Sequence, residues 1–168
     1  MMWVIRAGQN ALYYDKYILN SKVYVPWDGY QMDLSQIRTR ADFRTVVEKE
    51  KGTDNRTSVS NWAGQLYTFT QEIETGDLVL IPSKGSHTYC LAKIVSNYRF
   101  DKNEKDKLYH CRDIEILERD IPRDVFSQTV IYSLGAFRTI FKAKHEDDII
   151  HTKLKRGCKW GTMNLLLL

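Results

Sequence analysis

A chain of 168 residues, 43% hydrophobic and 27% charged, has the size and composition of one ordinary globular domain with its own core, and a second full domain does not fit. Its formal charge of +4 permits a polyanionic partner without demanding one. No apolar run near the N-terminus has the length of a signal peptide or a membrane span, and the three cysteines, Cys90, Cys111 and Cys158, are scattered without CxxC spacing; a cytoplasmic protein with buried thiols is expected, with no membrane partner and no disulfide framework.

The apolar run MWVIRA reads as a first strand. NALYYDKYILN spaces Leu12, Tyr13, Tyr17 and Ile18 along one helical face, with Asn10 as N-cap. Lys22 to Val25 form a short strand stopped by Pro26, and Trp27, Asp28 and Gly29 make the exit turn. From Asp33 to Lys51 the pattern is helical and charged, with Leu34, Ile37, Phe43, Val46 and Val47 as an interrupted apolar stripe. After the polar break KGTDNRTS, with Ser58 or Ser60 as N-cap, Val59, Trp62, Leu66, Phe69 and Ile73 define the buried face of a helix that Gly76 ends.

DLVLIP and TYCLAKIVSNYRF read as two strands joined by a tight turn, a hairpin whose second strand is buried on both faces. A charged loop leads to the strand LYHCRDIEILERDIP, then to a short helix with Ser127 as N-cap and Gly135 as stop, and to a last strand, AFRTIFKAK. Beyond Lys144 the pattern weakens. The sum is an α/β (α+β) domain over residues 1–144, a curved mixed sheet or small barrel with helices outside it, followed by residues 145–168 as a tail or the start of a linker to a missing effector domain.

Catalytic signatures are missing. There is no GxxxxGK[ST] to wrap phosphates, no GxSxG elbow, and no Asp followed later by Glu-x-Lys to hold a magnesium ion. The pairs His87 with Cys90 and His110 with Cys111 point to opposite faces of a strand and do not converge on one ion. No catalytic residue, metal or cofactor is therefore assigned. What stands out is aromatic: Trp27, Trp62, Tyr98 and Phe100 each lie at or just beyond the end of an element, where a ring can line a pocket mouth. Trp62 also lies on the apolar stripe and by periodicity alone reads as core; Trp27 lies on no stripe.

The segments WVIRAGQNALYYDKYILNSKVYVPWDGYQMDLS, NWAGQLYTFTQEIETGDLVLIPSKG, AKIVSNYRFD and ERDIPRDVFSQTVIYSLGAFRTIFKAK together resemble, from about Trp3 to Lys144, the N-terminal domain found ahead of the nuclease in some Mrr-like modification-dependent restriction endonucleases. That domain looks like a member of the EVE and YTH group of the PUA-like superfamily. The resemblance implies a strongly bent mixed β-barrel flanked by helices that takes a modified base, flipped from DNA, into an aromatic cage. Trp27 matches one cage wall, Tyr98 or Phe100 another, and NWAGQL resembles the helix start at the pocket, with Asn61 bonding the base edge and Trp62 as floor or wall.

Asp28, adjacent to the cage, is a candidate acceptor for an exocyclic amine. Arg38, Arg40, Arg44, Arg56, Lys142 and Lys144 are candidate phosphate contacts. The expected function is thus non-enzymatic: recognition of a methylated or hydroxymethylated base in double-stranded DNA on behalf of a nuclease domain or subunit in phage defence. A metal-dependent nuclease fragment, or a reader of modified RNA or of a small nucleotide, is the alternative.

Overall fold

The computed structural model describes residues 1–155; Cys158 and the terminal leucine run lie outside them. Seven strands form one sheet: β1 (Met2–Ile5), β2 (Lys22–Tyr24), β3 (Leu78–Pro82), β4 (Thr88–Ile94), β5 (Arg99–Phe100), β6 (His110–Pro122) and β7 (Ile140–Lys142). The order is β2-β6-β4-β3-β1-β7, with β5 on β6. Only β1 and β3 run parallel, with Trp3 opposite Val79; the other pairs are antiparallel. The result is a mixed sheet curled into a half-barrel and flanked by helices. Two register shifts where β4 meets β6, around Leu91, supply part of the bend, since an extra residue on one strand increases its local twist.

Period-two alternation sorts the strands onto two cores. Trp3, Ile5, Val79, Ile81, Cys90 and Ala92 face one cluster together with α2 (Arg40–Lys51) and α3 (Arg56–Tyr67). Met2, Val4, Leu80, Tyr89 and Leu91 face the other, with α4 (Gln128–Leu134) and α5 (Glu146–Lys155). Burial of β4 on both faces agrees with its sequence. Cys90 and Cys111 are buried free thiols, and burial pushes that of Cys90 up to about 11.

Several boundaries differ from the sequence expectation. Asn10 is not an N-cap: it sits in the left-handed region (φ 53°) within a tight turn, and α1 (Tyr14–Asn20) begins four residues later, leaving Leu12 exposed. Residues 33–39 are not helical. Thr39 caps α2 by accepting from the Asp42 amide at 3.1 Å, and the preceding loop is committed to other bonds, Asp33 Oδ1 accepting from the Ser35 amide at 2.8 Å.

Asn55, not Ser58 or Ser60, caps α3, accepting from the Ser58 amide at 3.1 Å. The helix ends earlier than Gly76, through a wide turn over Thr68–Glu72 in which the Phe69 and Thr70 carbonyls are taken up by Arg112. β7 occupies only the middle of AFRTIFKAK. Beyond it α5, which sequence periodicity did not reveal, opens with Glu146, Asp147 and Asp148 in its first turn, where the helix dipole favours acids. Ser127 caps α4 as expected.

A candidate nucleobase cleft at Trp27

Three loops meet at one end of the half-barrel: residues 6–13 after β1, residues 26–39 after β2, and residues 135–139 before β7. Tyr17 of α1 ties the first two, donating its buried hydroxyl to the Tyr24 carbonyl at 2.7 Å and lying 3.4 Å from that of Arg6. Gly8 lets them close up. Its φ of +81° suits glycine, and a Cβ there would lie 3.0 Å from the Tyr13 ring. The third loop is tied in by the Arg6 amide, which donates to Thr139 O at 2.9 Å.

Between the loops lies an open cleft of about 630 Å³. It is lined by Pro26, Trp27 and Asp28 from the second loop, by Arg6, Gly8, Gln9 and Asn10 from the first, by Gly135 to Thr139 from the third, and by Lys51 from the end of α2. Trp27 is half-buried, an indole with one side packed on the core and the rest available. The lining carries three cations, Arg6, Lys51 and Arg138, and one carboxylate, that of Asp28, which is exposed and has Lys107 at 3.8 Å. Among the described residues the Arg6 guanidinium bonds only to neutral carbonyls, those of Leu134 (3.0 Å), Ala136 (3.3 Å) and Arg138 (3.1 Å), and no acid among them cancels its charge. An aromatic wall, amide side chains from Gln9 and Asn10, and a net positive rim suit a planar, hydrogen-bonding ligand attached to an anion.

The four aromatics singled out in the sequence do not share this cleft. Trp62 borders it only through Lys51, whose ammonium lies 5.4 Å from the Trp62 ring centre and 5.5 Å from that of Tyr30 while reaching the Asp28 carbonyl at 3.4 Å. Tyr98 lines a separate cleft with Arg38 and Arg112. Phe100 packs against Tyr109 and His110. Asn61 lines a third cleft of about 600 Å³ with Arg40, Gln65 and Lys142, which meets the Trp27 cleft at Arg138. Arg40 is engaged by Glu72 at 2.6 Å and stacks on Tyr67; Arg44, Arg56 and Lys144 are exposed elsewhere on the surface.

Tyr98 does something sequence reasoning missed. His110 is 1% exposed and sits between two partners: its Nε2 is 2.6 Å from the Tyr30 carbonyl and its Nδ1 2.7 Å from the Tyr98 hydroxyl. A carbonyl only accepts, so Nε2 carries the proton and Nδ1 accepts from Tyr98. The same hydroxyl accepts from the Leu34 amide at 3.1 Å. Burial holds the imidazole below its ordinary range, outweighing the opposing bond to Tyr30, and keeps it neutral near pH 7. The relay clamps the loop carrying Trp27 at two points beyond it, Tyr30 and Leu34.

Arg112 is a second buried anchor. Although 2% exposed, it has no carboxylate partner among the described residues and donates to the carbonyls of Phe69 (2.8 Å), Thr70 (3.2 Å) and Ser96 (3.3 Å). Burial lowers its pKa to about 10, still charged at neutral pH. It faces the carbonyl end of the α3 segment, where a cation is favoured. Gln65 is the third, its buried Oε1 accepting from the amides of Thr139 and Ile140, both at 2.9 Å.

No group of three His, Cys, Asp or Glu side chains that could hold a metal occurs among the described residues, and none of their helices is long and apolar enough to cross a membrane. A model of the family described as Domain of unknown function (DUF8426) matches residues 3–140, and the chain belongs to that family. Among solved structures, Rpa0253 from Rhodopseudomonas palustris, determined by NMR as a structural genomics target, is similar at 11% identity and a TM-score of 0.40, over 99% of this chain and 95% of that one. No curated protein matches the chain.

Proposed function

We propose that this DUF8426 domain is a PUA-like reader of a modified base in double-stranded DNA: it accepts a flipped methylated or hydroxymethylated base against Trp27 and serves a nuclease encoded in another domain or partner, in the cytoplasm. The observation that carries this reading is the cleft itself. One half-buried indole, two amide side chains and three cations converge there from loops far apart in sequence. The resemblance of four long segments to the recognition domain of modification-dependent restriction enzymes supports the same reading, and the curled half-barrel with outer helices is compatible with it.

Within the proposal Trp27 stacks on the base. The carboxylate of Asp28 accepts from an exocyclic amine, Gln9 and Asn10 read the remaining edge, and Arg6, Lys51 and Arg138 meet the flanking phosphates. Tyr98 and His110 hold the Trp27 loop; Trp62 supports Lys51.

Fluorescence polarisation tests this with a panel of duplexes carrying one 5-methylcytosine, 5-hydroxymethylcytosine or N6-methyladenine, against the unmodified duplex. The expected result is that one member binds at least about ten-fold tighter, the scale of a single well-read base. Equal affinity across the panel overturns the proposal, and tighter binding to the corresponding RNA or free nucleoside reassigns the ligand.

A further inference from the structure

Phe137 is exposed as fully as in an extended chain, at the rim of the Trp27 cleft. Tyr132, on α4 of the same segment, is 75% exposed. A single exposed apolar residue needs no explanation, but this one is presented by a loop that is unusually well fixed. The Arg6 guanidinium takes up the carbonyls of Leu134, Ala136 and Arg138, on both sides of Phe137, and Gln65 takes up the next two amides, those of Thr139 and Ile140. A tight turn adds a bond from the Arg138 amide to Ala136 O at 2.9 Å. The ring therefore projects into solvent from a braced backbone, and little loop entropy is lost when it meets a partner.

We infer that Phe137 is a wedge that enters the base stack of duplex DNA beside the flipped base and occupies the space it vacates. This rests on the proposed reading of the Trp27 cleft and adds a contact on the duplex side of it. Charge complementarity identifies the occupant: Arg138 follows the ring directly and the Arg6 guanidinium is bonded to carbonyls on both sides of it, so a surface approaching Phe137 meets two guanidinium groups lacking acidic partners among the described residues, an arrangement suited to the phosphates either side of an opened step. Apolar side chains inserted between bases offset the cost of unstacking in just this setting, next to cationic phosphate contacts.

The experiment compares wild type, Phe137→Ala, Phe137→Leu and Trp27→Ala on the preferred duplex of the panel and on its modified strand alone. Because Phe137 buries nothing in the free protein, Phe137→Ala leaves the unfolding midpoint unchanged. It weakens duplex binding about ten-fold and single-strand binding less than about two-fold, since a single strand has no stack to hold open, and Phe137→Leu restores part of the loss. Trp27→Ala weakens both.

Equal effects of Phe137→Ala on duplex and single strand, or none on either, overturn the wedge while a loss of both in Trp27→Ala leaves the base cleft standing. If no panel member is preferred over unmodified DNA, the cleft reading fails and the wedge with it. A concentration-dependent dimer that disappears in Phe137→Ala places a second copy on the ring and also overturns the wedge.

Discussion

Replacing Tyr98 with phenylalanine removes one oxygen from the relay that holds the Trp27 loop and leaves the ring, with its edge contact to Phe69, in place. The loss exposes two groups. His110 Nδ1, on a 1% exposed side chain, loses its only donor, and a buried unsatisfied acceptor costs about 1–3 kcal/mol. The Leu34 amide loses its acceptor as well, at about 0.5–1.5 kcal/mol, the net worth of an ordinary hydrogen bond. Together these predict a destabilisation of about 1.5–4.5 kcal/mol in urea unfolding, with the denaturant slope unchanged because the buried surface is the same.

The relay also has a pH signature. The folded pKa of His110 lies below its unfolded value of 6.5, so the folded state binds fewer protons; stability from this group is complete above 6.5 and is lost as the pH falls through the folded pKa. A change below about 0.5 kcal/mol in Tyr98→Phe would show that the hydroxyl is solvated and that the relay does not hold the loop.

The remaining predictions concern the other anchors and the rim. Trp3→Phe removes the indole donor 2.7 Å from Asp77 and is expected to cost about 1–2 kcal/mol at pH 7 by chemical denaturation. Burial alone would raise the Asp77 pKa, but the bonds from Trp3, the Glu74 amide and the N-terminal ammonium hold it below its usual 3.8; this stabilisation is present above 3.8 and lost as the pH falls through the folded value, so the Trp3→Phe deficit shrinks in acid. Arg112→Leu strands three carbonyls around a buried site and is expected to cost at least about 3 kcal/mol, seen as a lower urea midpoint. Arg138→Gln, at an exposed rim position, is expected to leave stability within about 0.5 kcal/mol of wild type and to reduce the salt slope of DNA binding by about one.

The parts of this molecule that could be read from its sequence are those decided by neighbours along the chain. β1, β3 and β4 announced themselves because strands buried on both faces carry nearly uninterrupted apolar runs, and Ser127 because a capping serine precedes a helical stripe. Where several neighbouring residues could do the same local job, the local pattern alone does not choose among them. Asn55, Ser58 and Ser60 are all competent caps, and Asn55 takes the role.

The site divides in the same way. Trp27 stood out because it lies on no stripe and follows Pro26. Its partners did not, since Arg6, Lys51 and Phe137 reach the cleft from three separate loops or helix ends, and the link between Arg6 and Arg138 spans 132 positions. Tyr98 was noticed as an aromatic at a strand end, but its bond to His110 depends on the pairing of β5 with β6, which no local pattern encodes.

The central claim is that the Trp27 cleft distinguishes a modified base. Its most direct test is the ratio of affinities for the preferred modified duplex and its unmodified counterpart, measured for wild type and for Trp27→Ala with folding checked by circular dichroism. A ratio of at least about ten is expected in wild type, collapsing towards one in the variant, because base–indole stacking is worth about 1–3 kcal/mol. A ratio that survives the loss of the indole in a folded protein would contradict it.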